Sequence, residues 1–227
     1  MSVIDLLPIA LLGGFLGMDV VTFPQAMISR PIVAATVAGA FVGDATAGLV
    51  IGAVLELFAL EMLPFGASRY PEWGSASVVG GAVYAGQIGD PRGALAAALL
   101  ASLMTAAASG WSMVRLRRLN GSRAAFNREA LEEGDSSAVI GTHLFGLNAD
   151  LLRGCALTFV AMLLFDPLVP AIVAQWKTDA PSSRGVVVAI AAAVSAGAIW
   201  KVFHTVAHAR FFLAAGLATG AVLVLTR

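Results

Sequence analysis

Long apolar stretches alternate with short polar segments along this chain. Since about 20 apolar residues in a helix cross the hydrocarbon layer of a bilayer, the pattern predicts an all-α membrane protein. We expect a multi-helix transmembrane bundle that forms one domain over residues 1–227, with the first stretch kept as a membrane helix because Asp5 replaces a basic leader segment. The apolar stretches are residues 3–22, 31–63, 75–89, 93–114, 150–175, 185–203 and 210–226.

The stretch 31–63 is too long for one simple span. As a continuous helix its 33 residues would extend about 50 Å. Glycines and Asp44 interrupt it near the middle, so the sequence predicts a break at residues 43–48 with a helical piece on each side. Irregular backbone at membrane depth survives only where protein or a wet cavity covers it. Broken helices of this kind often form substrate sites in transporters.

Composition agrees with a membrane protein and excludes several other classes. Charged residues make up 12% of the chain, about half of the ~25% typical of soluble domains. The formal net charge is zero, so no basic face suggests a nucleic-acid partner. Cys155 is the only cysteine, which excludes an internal disulfide framework. No phosphate-binding glycine loop or catalytic triad spacing occurs, so we expect no cofactor, no metal and no enzyme active site.

Residues 115–137 form the most polar segment of the chain. An arginine cluster follows the apolar stretch directly, and the positive-inside rule predicts a cytoplasmic loop here. The acidic residues after it balance the charge, which argues against a nucleic-acid site. The basic residues are Arg115, Arg117, Arg118, Arg123 and Arg128, and the acidic ones are Glu129, Glu132, Glu133 and Asp135.

Glu56 stands out among the charges inside apolar stretches. A carboxylate at the middle of a membrane helix costs ~2.5–3.5 kcal/mol, so it usually faces a partner or a polar cavity. Gly48, Gly52 and Glu56 are four residues apart and share one helix face. The spacing predicts an acceptor beside a glycine-lined cleft. Carboxylates suit sugars because each accepts strong hydrogen bonds from hydroxyl groups.

Structural roles remain open for the same carboxylates. Glu56 is also compatible with an ion pair to Arg30 or Arg69 or with capping by backbone amides, and a structural role is open for Asp44 as well. Glu72 lies between Tyr70 and Trp73, a group that fits either sugar stacking or an ordinary membrane interface, with the interface favoured.

Two further patterns concern packing and the membrane surface. Lys201, His204, His208 and Arg210 favour a basic patch at headgroup level over a metal site. Glycines spaced by four predict close helix packing; the pairs are Gly13/Gly17, Gly39/Gly43, Gly48/Gly52 and Gly216/Gly220.

A set of motifs occurs in a fixed order between residues 29 and 72. In order and spacing it resembles the mannose/sorbose-type enzyme IIC subunit of the bacterial phosphoenolpyruvate-dependent sugar phosphotransferase system, most strongly over residues 19–80. The motifs are Ser29-Arg30-Pro31-Ile32-Val33, Gly43-Asp44, Gly48 to Leu57, Pro64-Phe65-Gly66-Ala67 and Pro71-Glu72.

The resemblance implies a function as well as a fold. IIC subunits of the cytoplasmic (inner) membrane pair with a IID membrane subunit, and the pairs assemble as trimers. Soluble IIA and IIB components carry the phosphoryl group, and IIB phosphorylates a hexose-type sugar delivered through IIC and IID. The IIC subunit has no phosphorylated residue of its own. Carried over by motif, the sugar-binding residues are Glu56, Asp44, Gly66, Ala67 and Ser68.

The sequence departs from the family pattern at residues 61–73. Glu61 replaces a usual glycine, and Arg69 to Trp73 replace small residues and prolines. This departure keeps open a membrane scaffold or sugar sensor that does not transport. A separate alternative is a proton-coupled secondary transporter that uses Asp44 and Glu56 as proton sites.

Overall fold

The fold is a bundle of α-helices, given by a computed structural model that describes residues 3–60, 69–87 and 92–226. These residues contain no β-strand, which confirms the predicted all-α class. The helices are α1 (Leu6–Met18), α2 (Pro31–Val42), α3 (Ala45–Ala59), α4 (Trp73–Ala85), α5 (Ala94–Phe126), α6 (Arg128–Glu132), α7 (Ser136–Ala174), α8 (Ala180–Phe203) and α9 (Ala209–Leu225).

Three of these helices, α5, α7 and α8, are long and apolar enough to cross a membrane. Helices α5 and α7 run antiparallel: Gly93 before α5 lies against the ring of Trp176, which follows α7. At the other end, the Asn127 side chain donates a hydrogen bond to the Thr142 hydroxyl, 3.0 Å away. At about 1.5 Å per residue the two helices measure about 50 and 58 Å, so both extend well beyond an apolar layer of ~30 Å.

The sequence analysis predicted a loop at residues 115–137, and this prediction of local structure was wrong. Residues 115–137 are mostly helical, because α5 continues to Phe126 and α7 already begins at Ser136. Arginine, leucine, alanine and glutamate are strong helix formers, so a polar composition does not require a loop. The reversal itself is confined to the short α6 and to Gly134, whose φ is +76°. We call residues 115–149 the arginine extension; its cytoplasmic location stays a prediction.

Asp135 fixes the start of α7. Its carboxylate accepts hydrogen bonds from the Ser137 backbone N–H at 3.0 Å and from the Ser137 hydroxyl at 2.8 Å. These bonds hold the pKa of Asp135 below its ordinary value. Asp179 caps α8 in the same way through the Ser182 N–H, which lowers the pKa of Asp179.

The predicted break in the stretch 31–63 is confirmed, and it has the form of a hairpin. Helix α2 ends at Gly43, whose φ of +107° is readily adopted only by glycine, and α3 begins two residues later. The two helices pack antiparallel, with Gly39 against Gly48 near the turn. With 12 and 15 residues, they measure about 18 and 23 Å. Neither is long enough to cross a ~30 Å layer alone.

Helix α4 occupies the centre of the bundle. Eleven of its thirteen residues are buried, and it packs against α1, α2, α3, α5 and α7. Small residues allow this: Gly81 lies directly on the backbone of Ala35 in α2, and Gly80 lies against the Ser102 side chain in α5. The α2–α3 hairpin is thereby fixed to the long helices through α4.

Candidate functional site

Glu56 and Arg30 form an ion pair at the open end of the α2–α3 hairpin. The Arg30 guanidinium donates to Glu56 Oε1, and the Ile32 backbone N–H donates to Glu56 Oε2 at 3.2 Å. The pair is part-exposed, with side-chain exposures of 34% for Arg30 and 21% for Glu56. Of the two arginines predicted as possible partners of Glu56, Arg30 forms the ion pair. The pair still has a face open to a ligand.

The expected glycine-lined cleft beside Glu56 is wrong. Gly48 lies against the Ala35 carbonyl oxygen and Thr36, and Gly52 lies against Pro31 and Ile32. The glycine face of α3 is thus closed by α2. The physical reason is that an absent side chain permits backbone contact as readily as it permits a cavity.

Asp44 lies at the opposite end of the hairpin and caps α3. Its carboxylate accepts a hydrogen bond from the Ala47 backbone N–H at 2.8 Å. Glu56 is twelve positions after Asp44, which corresponds to about 18 Å along the helix axis. One monosaccharide cannot contact both carboxylates at that separation.

Substitution at Asp44 separates capping from ligand binding. We expect Asp44→Ala to lower the free energy of unfolding by about 1 kcal/mol, while Asp44→Asn keeps most of the stability because asparagine caps equally well. Chemical denaturation in detergent micelles measures both. If Asp44→Asn retains stability but loses sugar binding, Asp44 contacts the sugar; if Asp44→Ala is as stable as wild type, the cap is unimportant.

A second polar group begins in the loop between α1 and α2. Asp19 is 2% exposed, and its carboxylate accepts hydrogen bonds from the Ala26 N–H (2.7 Å), the Ser29 N–H (2.9 Å) and the Ser29 hydroxyl (2.8 Å). Within this loop Gln25 and Met27 have φ of +59° and +61°. Left-handed backbone at non-glycine residues is strained and concentrates at functional sites. Asp19 holds the strained loop against the bundle.

Asp150 and Arg153 form a buried ion pair on α7. Asp150 is fully buried, and the Arg153 Nη2 and Nε atoms lie 2.8 and 2.9 Å from its Oδ1. The Thr22 hydroxyl, from the same α1–α2 loop, donates to Oδ2 of Asp150. Arg153 also reaches α5, where its Nη1 donates to the Ser112 hydroxyl at 3.1 Å and the Ser109 carbonyl at 3.4 Å.

Glu72 connects this ion pair to the central helix. It is 1% exposed and caps α4, accepting from the Ser75 N–H at 3.1 Å and from the Ser75 hydroxyl. The Ser75 hydroxyl lies 3.1 Å from the Ser109 hydroxyl, so the polar contacts continue from α4 to α5 and α7. We call this set the polar belt; its members are Asp19, Thr22, Ser29, Glu72, Ser75, Ser109, Ser112, Asp150 and Arg153.

The polar belt lies at one level of the bundle. Ser109 and Asp150 stand at the ends of the apolar parts of α5 and α7 that face the arginine extension. The Arg30–Glu56 pair lies at the same end of the bundle, because Ser29, the residue before Arg30, donates a hydrogen bond to Asp19. A cavity of about 440 Å³ between α5 and α7 reaches the belt at Arg153 and Ser112. The belt is therefore next to the boundary of the apolar layer.

The sequence interpretation found part of this site. It identified Glu56, but placed Tyr70 and Glu72 at a membrane interface, whereas both are buried. It missed Asp150 and Arg153; an aspartate three residues before an arginine in an apolar helix was the available signal. Gly66, Ala67 and Ser68 lie outside the described residues, as does Glu61, so the three site residues among them remain predictions.

Comparison with known proteins identifies the family. The family model described as the sorbose-specific IIC component of the PTS system matches residues 3–223. A solved structure titled as a membrane protein is 19% identical, with a TM-score of 0.65 over 100% of this chain and 96% of its own. The mannose transporter ManYZ, solved in complex with microcin E492, is 17% identical, with a TM-score of 0.60 over 97% and 87%. No curated protein sequence matches significantly.

These findings agree with the arrangement of the helices. The solved structures support the fold, and the family match covers nearly all of the described residues. IIC components are transport subunits of the membrane, which supports a non-catalytic role. The chain belongs to the sorbose-specific IIC family of the sugar phosphotransferase system and is a multi-pass protein of the inner membrane.

Proposed function

We propose that this chain binds a hexose and conducts it to the cytoplasm, where a soluble IIB component phosphorylates it. The polar belt is the observation that carries the proposal. Two of its carboxyl groups are almost fully buried within an apolar bundle: Asp19, which holds the α1–α2 loop, and Glu72, which caps α4. Ionisable groups at membrane depth generally mark a ligand path. Sugar hydroxyls are suitable ligands because carboxylates accept their hydrogen bonds strongly.

The position of the belt supports delivery to a phosphorylating partner. It lies beside the arginine extension, which the positive-inside rule assigns to the cytoplasm. A sugar held near Arg30 and Glu56 would therefore be close to the side where phosphorylation occurs. Gly66, Ala67 and Ser68 follow the helix that carries Glu56 and precede Glu72 in the sequence, which is consistent with a shared role in sugar binding.

A IID membrane subunit is part of the proposal. The mannose transporter ManYZ has a similar fold. The family resemblance implies IIC–IID pairs that assemble as trimers, with IIA supplying the phosphoryl group to IIB. The part-exposed Arg30–Glu56 pair is a surface that such a subunit could complete around the sugar.

Uptake by the complete system tests the role of Glu56. In cells that express this chain with its IIA, IIB and IID components, we expect Glu56→Gln to reduce hexose uptake at least about tenfold, because a neutral amide loses the charge-assisted bonds. Accumulation of labelled sugar phosphate is the measurement. Glu132→Gln is the matched control, since Glu132 forms a surface i,i+4 pair with the exposed Arg128; uptake by this variant should be unchanged.

Three results would count against parts of the proposal. If Glu56→Gln and Asp44→Asn both leave sugar binding and uptake unchanged, the predicted sugar contacts are wrong. If the chain alone accumulates unmodified sugar in liposomes under a pH gradient, it is a proton-coupled transporter. A set of neighbouring genes without IIA, IIB and IID would favour the scaffold or sensor.

A further inference from the structure

Helices α8 and α9 enclose an apolar groove that the proposed sugar path does not use. The two backbones hardly approach each other beyond the connecting turn, and the space between them measures about 610 Å³. This is within the ~300–1,000 Å³ typical of small-molecule sites. Its walls are aromatic and aliphatic, among them Trp200, Phe203, Phe212, Leu213, Gly216 and Leu217.

A smaller cavity at the turn joins one end of this groove. It measures about 250 Å³, is lined by His204, His208 and Arg210, and shares Val206 and Ala209 with the groove. Lys201 lies in the last turn of α8, and its backbone carbonyl oxygen is 3.0 Å from Nδ1 of His204, one of the residues that line this cavity. The site therefore has a cationic end and a long apolar part.

The positive charge at this end has no counter-charge. Residues 180–227 contain no aspartate or glutamate. Within the described chain, neither Lys201 nor Arg210 forms an ion pair, and both are exposed. Unlike Arg30 and Arg153, which are paired with carboxylates, these two cations are available to an external anion.

The groove's cationic end also lies at the right level in the membrane. Helices α7 and α8 are each long enough to cross once, so the chain leaves the arginine extension at the start of α7 and returns to the same side at the end of α8. That side is cytoplasmic by the positive-inside rule. Anionic lipids give the cytoplasmic leaflet its negative surface potential.

We propose that this groove is a binding site for an anionic phospholipid. The headgroup phosphate would lie in the cavity at the turn, with Arg210 and Lys201 as its cationic partners, and the acyl chains would lie along Phe203, Phe212 and Gly216. The apolar lining provides contact for chains, and the unpaired cations provide charge complementarity for the phosphate. A zwitterionic lipid would fit the apolar part but gain less from the cations.

Native mass spectrometry of the full chain, titrated with dioleoyl-phosphatidylglycerol, tests this site. We expect the double variant Lys201→Gln/Arg210→Gln to bind the lipid at least about tenfold more weakly. The matched control Arg118→Gln/Arg184→Gln removes the same charge elsewhere and should bind normally. Gly216→Leu should also lose binding, because it fills the groove while all charges remain.

Four outcomes would overturn the proposal. One is equal binding of phosphatidylglycerol by the Lys201/Arg210 variant and wild type. Another is equal binding of phosphatidylcholine and phosphatidylglycerol by wild type. The third is unchanged lipid binding by Gly216→Leu together with loss of self-association or IID association, which would show that a helix occupies the groove. Competition by inorganic phosphate alone at equal potency would likewise exclude a role for the acyl chains.

Discussion

Replacing Arg153 with methionine is expected to lower the free energy of unfolding by about 3–5 kcal/mol, because it leaves the Asp150 carboxylate buried without its counter-charge. Asp150 is fully buried, and Arg153 is its ion-pair partner. The same substitution removes the donor to Ser112 and the Ser109 carbonyl, which joins α7 to α5. Denaturant titration in detergent micelles, followed by helix content, measures the loss.

A double-mutant cycle separates the missing charge from lost packing. Asp150→Asn combined with Arg153→Met removes both charges, so it should recover part of the stability lost in Arg153→Met alone. Arg128→Met is the control for removing an arginine, since the Arg128–Glu132 pair is exposed and such pairs contribute ~0–1 kcal/mol. If Arg153→Met is no more destabilising than Arg128→Met, the belt does not depend on this ion pair.

The long spans and the hairpin break could be predicted from the sequence because both arise from local patterns. Apolar length fixes the membrane helices, and the Gly43–Asp44 pair supplies a left-handed turn followed by a cap. Composition did not predict the structure of residues 115–137, because polar, solvent-exposed side chains occur on helices as well as in loops. A polar segment predicts exposure; it does not predict the absence of helix.

The polar belt could not be predicted because its contacts join distant parts of the chain. Thr22 and Asp150 are 128 residues apart, and Arg153 and Ser112 are 41 apart. Each residue alone has an ordinary interpretation: a loop threonine, a helix-cap glutamate, a serine in an apolar helix. Only the packing of α4 against α1, α5 and α7 makes them one cluster. Glu56 could be predicted because a single charged residue within an apolar stretch is apparent from the neighbouring sequence alone.

The close contact between α2 and α3 leads to a second large effect. We expect Gly48→Ala to destabilise the protein by about 1–3 kcal/mol, because the added methyl group would overlap the Ala35 carbonyl oxygen. It would also lie 3.0 Å from the backbone Cα atoms of Gly39 and Thr36. Backbone atoms cannot rotate away as a flexible side chain can, so the hairpin must open.

Gly197→Ala in α8 provides the matched control. Gly197 is also inside a helix, but apart from the adjoining residues of its own helix no atom lies within 4 Å of its added methyl group. Alanine is favoured over glycine in a helix by about 1 kcal/mol, so this variant should be unchanged or more stable. Denaturant titration compares the two. Equal stability of Gly48→Ala and Gly197→Ala would show that the hairpin is not closely packed.

The Gly48 variant also tests how the hairpin acts in transport. Opening α2 from α3 would move Arg30 away from Glu56, since the pair joins the two helices two turns beyond Gly48. Sugar uptake by Gly48→Ala should therefore fall even at a temperature where the protein remains folded. Introducing Glu56→Gln into Gly48→Ala should then reduce uptake less than it does in wild type, because both changes disrupt the same site. Fully additive losses would mean that the hairpin and Glu56 contribute to uptake independently.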